Sequence, residues 1–148
     1  MSDTILKIIA TDPGHVPSAS NQEAVNTLLR SLVQADAIEL STTDTIEFID
    51  AGENFGTITC NVCGKPIALE EWQEAMDAAY ATQFEDLHFV TACCSSVTSL
   101  NSIVYEYPMG FARFQIAIRN PADGYTDELV DRLQQVLNMP LRVIWAHI

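Results

Sequence analysis

The chain has 148 residues, 48% of them hydrophobic and 18% charged, with six glycines and six prolines. That length suits one domain, 1–148, with its own core, and the composition excludes a disordered or collagen-like chain. Twenty Asp and Glu against seven Lys and Arg give a formal net charge of −13, a field that repels phosphate backbones and argues against nucleic-acid binding.

Met1 to Lys7 carries neither a basic n-region nor an apolar signal core, and no run approaches the roughly 18–20 apolar residues of a membrane helix. The expectation is a soluble, cytoplasmic protein with no membrane partner. Ile5 to Ala10 reads as a buried strand closed by Asp12-Pro13-Gly14. Ser20 and Glu23 form a capping box ahead of Val25, Leu28, Leu29, Leu32 and Val33, which predicts a helix over 21–34.

From Ile38 to Thr59 the pattern turns to short β-type runs and predicts two strands. In the first, Ile46 and Phe48 alternate with Thr45 and Glu47; the second, Thr57 to Thr59, leads into Cys60. Leu69, Trp72, Met76, Ala79 and Tyr80 then repeat at helical spacing opposite Glu70, Glu71, Glu74 and Asp77. Leu87 to Ala92 alternates as a strand and delivers the chain to Cys93-Cys94. Strands are also predicted at Ile103 to Tyr107 and at Phe111 to Arg119, the latter with Phe114, Ile116 and Ile118 on one face. Thr126 can cap a third helix carrying Leu129, Val130, Leu133, Val136 and Leu137; Asn138 and Pro140 stop it, and Leu141 to Ile148 makes the last strand.

The predicted fold class is α+β, a mixed or antiparallel sheet with about three helices. Both ends of the chain read strand, helix, strand. They predict ferredoxin-like halves flanking an inserted metal-binding segment at about 57–107.

Cys60-Asn61-Val62-Cys63-Gly64 has the form of a zinc knuckle, and Cys93-Cys94 follows after 29 residues. Two pairs with none left over match a closed, structural, tetrahedral zinc site. Adjacent cysteines on a regular strand would point to opposite faces, so Cys93-Cys94 must sit at a strand end or turn. His88 is the substitute ligand should Cys94 be spare. Gly64, Lys65 and Pro66 intervene before the next helix, which argues against a thioredoxin-type redox site.

Cys-Asn-Val-Cys-Gly, the Trp-containing acidic helix, Cys-Cys, Ser99-Leu100-Asn101, Tyr107-Pro108, Gly110 to Phe114 and Asn120-Pro121 together resemble uncharacterised bacterial proteins with a zinc-ribbon-like middle segment. The resemblance covers roughly residues 57–121. It implies zinc and no particular activity. Members of that group carry Pro inside the knuckle and Gly after the double cysteine, where this chain has Asn61-Val62 and Ser95.

No nucleophile elbow, zinc-protease helix, P-loop or dinucleotide-binding glycine pattern is present. Between Arg30 and Arg113 thirteen acids accompany a single Lys or Arg, Lys65. Asp36, Glu39, Asp44, Glu47, Asp50 and Glu53 are therefore the candidate surface for a basic protein partner, as in immunity proteins that neutralise nuclease-type toxins. The alternative is a small zinc- or thiol-dependent enzyme using His88 or Glu106 near the metal. A DNA-binding role through the aromatic stretch Tyr105 to Phe114 ranks third.

Overall fold

The computed structural model describes residues 3–122 and 126–148. In chain order the elements are β1 (Thr4–Ala10), α1 (Ala19–Leu32), β2 (Ala37–Ile49), β3 (Ile58–Thr59), α2 (Leu69–Tyr80), β4 (His88–Val90), β5 (Val97–Ser99), β6 (Val104–Tyr105), β7 (Gly110–Arg119), α3 (Thr126–Leu137) and β8 (Leu141–His147). The class is α+β. The four long strands make one antiparallel sheet in the order β2-β7-β1-β8. Each strand–helix–strand half leaves room for one strand of the other, and the two halves interleave as a split βαβ, ferredoxin-like arrangement.

Sequence periodicity explains the helical face of this sheet. Val25 and Leu29 of α1, with Val33 after it, and Leu129, Leu133 and Leu137 of α3 recur every fourth residue. Each set forms one stripe, and both pack on Leu6, Ile8, Phe114, Ile116 and Ile118, the alternate residues of β1 and β7. The start of α1 differs from expectation. Ser18, not Ser20, is the cap: its hydroxyl accepts the Asn21 N–H at 3.2 Å, and its carbonyl accepts from Gln22. The cap expected at Thr126 falls outside the described side chains. Asn138, with φ +52, ends α3 in the left-handed conformation that Asn tolerates.

The first of the two predicted strands between Ile38 and Thr59 is longer than expected. β2 pairs with β7 over most of its length, with a register shift between Thr42 and Glu47, where five steps on β2 pass two on β7. Such an irregularity interrupts the alternation that sequence reading relies on. β4 and β6 are shorter than their predicted runs, and β5 was not anticipated.

Residues 50–109 fold onto the other face of the sheet, at one end. Ile58, Ile67, Trp72 and Leu100 join Ile9, Phe111 and Ile144 in a second core. The chain crosses to this position beneath Lys7, whose ammonium donates to the Asp50 carbonyl at 3.0 Å. Gly52, with φ +64, then lies so close to the His147 carbonyl that any Cβ would collide with it. Arg142 of β8 clamps the far end of the insertion by donating to Asn101 Oδ1 (2.8 Å), Asn101 O (3.0 Å) and Met109 O (3.0 Å). Asn101 in turn donates to Thr11 O at 3.0 Å. Within the insertion, Leu69 and Tyr80 extend from the ends of the α2 stripe into solvent, while Trp72 and Ala79 are buried. No helix among the described residues is long and apolar enough to cross a membrane.

A buried polar relay organises the second core. Trp72 Nε1 donates to the Tyr105 hydroxyl at 3.1 Å, and that hydroxyl donates to Leu100 O at 2.7 Å. Burial pushes the phenol from its ordinary 10 up to about 12. A raised pKa means that the folded state keeps a proton the unfolded chain loses, so this stabilisation is complete below pH 10 and vanishes as pH rises through 12. Tyr105→Phe should cost about 1–3 kcal/mol at neutral pH by orphaning its two partners. It should also flatten the alkaline loss of stability, as checked by urea unfolding between pH 7 and 11.

Candidate metal centre

The cysteines are carried by two hairpin-like loops. In the first, β3 leads into Cys60, the chain turns, and Thr59 bridges back to Pro66 while Ile67 donates to Ile58 O at 2.8 Å. The tip is closed by two backbone bonds, Cys60 N–H to Lys65 O (2.9 Å) and Gly64 N–H to Cys60 O (3.0 Å). Gly64 supplies the left-handed φ of +78 that this tight return requires.

The second loop joins β4 to β5. Val90 faces Val97 as the last pair, and Thr91 to Ser96 forms the turn, closed by Thr91 N–H to Ser96 O at 3.0 Å and Ser95 N–H to Thr91 O at 2.8 Å. Cys93 and Cys94 sit within this turn. Adjacent side chains can therefore converge there, which a regular strand would forbid.

All four Sγ atoms lie within 4.8 Å of one another. Cys63 to Cys93 is 3.3 Å, while Cys60 to Cys94 and Cys93 to Cys94 are both 3.9 Å. A tetrahedral ion with sulfur ligands at about 2.3 Å needs sulfurs about 3.8 Å apart, so the group can hold a metal ion after small adjustments. Cys60 is buried, Cys93 and Cys94 are half-buried, and Cys63 is exposed.

The surroundings favour thiolate at two of the sulfurs. Backbone N–H groups of Cys63 and Val62 lower the Cys60 pKa. The hydroxyls of Ser96 and Thr91, both 3.3 Å away, lower Cys94 to about 6. Cys93 goes the other way, to about 12, because it hydrogen-bonds Cys63 and is desolvated. Four thiols this close to one another cannot all lose protons without a cation among them.

Several residues that sequence reading did not single out hold the two loops in place. Thr98 donates to Asn61 Oδ1 at 2.7 Å, joining the knuckle to β5, and the Ala92 N–H donates to Glu71 Oε2 of α2 at 2.9 Å. Thr91 and Ser96 bracket the cysteine pair in sequence, which is the one local signal of their role. The contacts of Asn61 and Glu71 span tens of residues and leave no local trace.

His88 lies on the strand leading to the turn, but its Nδ1 pairs with Asp86 Oδ1 at 3.2 Å, and it is not part of the sulfur group. Glu106 accepts from both the backbone N–H (2.9 Å) and the hydroxyl (3.1 Å) of Thr57, contacts that hold its pKa down. Of the six acids proposed from sequence, Glu39, Asp44 and Glu47 are exposed along β2, and Asp36 just before it accepts from Asn120 Nδ2 at 2.8 Å. Asp50 accepts from Lys7 and from the Gly52 N–H, whereas Glu53 lies across the sheet beside His147.

Ser95 adopts φ +55, a conformation that disfavours side chains by roughly 1–2 kcal/mol and that glycine takes up freely. Ser95→Gly should leave the chain as stable or up to about 1 kcal/mol more stable, measured by chemical denaturation of the metal-loaded protein. Thr98→Val, by freeing the knuckle from β5, should weaken the cluster's affinity for an added divalent metal ion about tenfold in competition with a chromophoric chelator. No protein-family model, curated protein or solved structure matches the chain, and no family is identified for it.

Proposed function

We propose that Cys60, Cys63, Cys93 and Cys94 hold one structural zinc ion, and that the chain is a non-catalytic interaction protein whose partner is a basic protein. The observation that carries the zinc reading is the convergence of four sulfurs, two from each of two hairpin loops, within 4.8 Å. An all-sulfur set selects zinc over hard cations and occupies every tetrahedral position, leaving none for water or substrate. The metal's work is then mechanical: it ties the knuckle to the β4-β5 turn within residues 57–107.

Support for the partner reading is electrostatic. A net charge of −13 attracts a cationic protein and speeds encounter with it, which is how an immunity or inhibitor protein of a basic toxin would act in the cytoplasm. The engagement of His88 with Asp86 and of Glu106 with Thr57 weighs against the enzymatic alternative.

Native mass spectrometry should find one zinc per chain, with all four thiols protected from alkylation until a chelator is added. Hydrogen exchange after chelation should accelerate first in residues 57–107 and leave β1, β7 and α1 protected. An unmetallated chain, or a zinc-loaded chain with one thiol reacting freely, would contradict the closed site.

A further inference from the structure

The sheet has two edges, and they differ. The β8 edge is partly covered at its end: His147 exchanges hydrogen bonds with Ala51 and Glu53, and Asn54 Nδ2 donates to Trp145 O at 3.1 Å. β2, the other edge strand, has β7 as its single neighbour in the sheet among the described residues. Over Ala37 to Thr42 it pairs regularly with Arg119 to Phe114.

Arg30 of α1 donates to Ile38 O at 3.2 Å, so this carbonyl points away from β7. Because backbone direction alternates along an antiparallel pair, the N–H and C=O groups of Ile38, Leu40 and Thr42 share that outward direction. Beside them runs an open groove of about 590 Å³ between α1 and β2, lined by Glu23, Asn26, Arg30, Ile38 and Leu40 among others. Ile38 and Leu40 are half-buried on the helix side, and Glu39 is exposed on the opposite face.

We propose that β2 takes up an extended segment of a basic partner protein as a fifth strand along Ala37 to Thr42. The proposal rests on the partner reading above and says where and how that partner is held. Main-chain hydrogen bonds to the outward groups of β2 would supply affinity, and alternate side chains specificity. Apolar residues of the incoming strand would enter the groove beside Ile38 and Leu40, and the residues between them would be Lys or Arg facing Glu39. The guanidinium of Arg30 would exchange Ile38 O for the incoming strand.

Asp36, Asp44 and Glu47 extend the negative field beyond both ends of the paired stretch, and the register shift after Thr42 marks where regular addition stops. The same acids disfavour a second copy of this chain, which would bring like charges together across the new pair.

The test uses the zinc-loaded full chain and a fluorescent decapeptide of alternating lysine and valine. Two controls accompany it: the same peptide with all backbone nitrogens methylated, which keeps charge and removes strand hydrogen bonding, and polylysine. Fluorescence anisotropy should show binding of the unmodified peptide at least tenfold tighter than of the methylated one, with slower amide exchange at Ile38, Leu40 and Thr42. Leu40→Pro should lower affinity at least tenfold while the circular dichroism spectrum is retained, because the nitrogen it alters faces away from β7. Glu39→Lys should lower it without affecting the fold.

Equal binding of both peptides, or full affinity in folded Leu40→Pro, overturns strand addition while leaving a charge-driven partner in place. If neither the peptide nor polylysine binds, the edge and the basic-partner reading fall together. A wild-type dimer that Leu40→Pro dissociates would assign the edge to a second copy and overturn the proposal as well.

Discussion

Four sulfur atoms within 4.8 Å cannot all be thiolates unless a cation lies among them. Of the four, Cys60 and Cys94 receive hydrogen bonds that favour the anion, while contact with Cys63 holds the proton on Cys93. A divalent ion held there, as proposed above, would resolve the charge conflict, displacing the remaining protons and turning mutual repulsion into four bonds. In that reading the arrangement of residues 57–107 depends on the ion. Its strands are two or three residues long, too short to hold two loops in register by backbone pairing alone.

The rest of the insertion depends on the sheet. Its apolar side packs Trp72, Phe84 and Leu100 against Phe111, Ile9 and Ile144. The Phe111 ring centroid lies 5.4 Å from that of Phe48 and 5.3 Å from that of Phe84, both tilted against it, linking β2, β7 and the chain after α2 in one aromatic contact set. Arg142 and Asn101 supply the polar half of the same attachment. In the proposed metal-bound state, loss of the ion would therefore loosen the two loops without detaching the segment that carries them, unlike small zinc domains that are unfolded without their ion.

Much of this was legible in the sequence where one physical rule acts alone. Period-four stripes in α1 and α3 and the alternation of Phe114, Ile116 and Ile118 each report burial on one face, and together they fixed the two strand–helix–strand halves. The double cysteine could be placed at a strand end or turn because a strand cannot aim two successive side chains at one point. Elsewhere competing rules obscured the reading. Ser18 and Ser20 both satisfy cap chemistry, and the hydrogen bonds of Ser18 and Gln22, invisible locally, decide between them. The irregularity in β2 disguised one long strand, and β5 begins at Val97, exposed on a hairpin whose inward residue is Thr98. The Arg142–Asn101 clamp joins residues 41 positions apart and has no local signature.

X-ray absorption at the zinc edge of the purified, metal-loaded protein tests the central claim most directly. The account predicts four sulfur scatterers at about 2.3 Å and no nitrogen or oxygen in the first coordination sphere. Three sulfurs with one nitrogen or oxygen at about 2.0–2.1 Å would contradict it, by showing a site with a histidine or solvent ligand in place of the fourth cysteine.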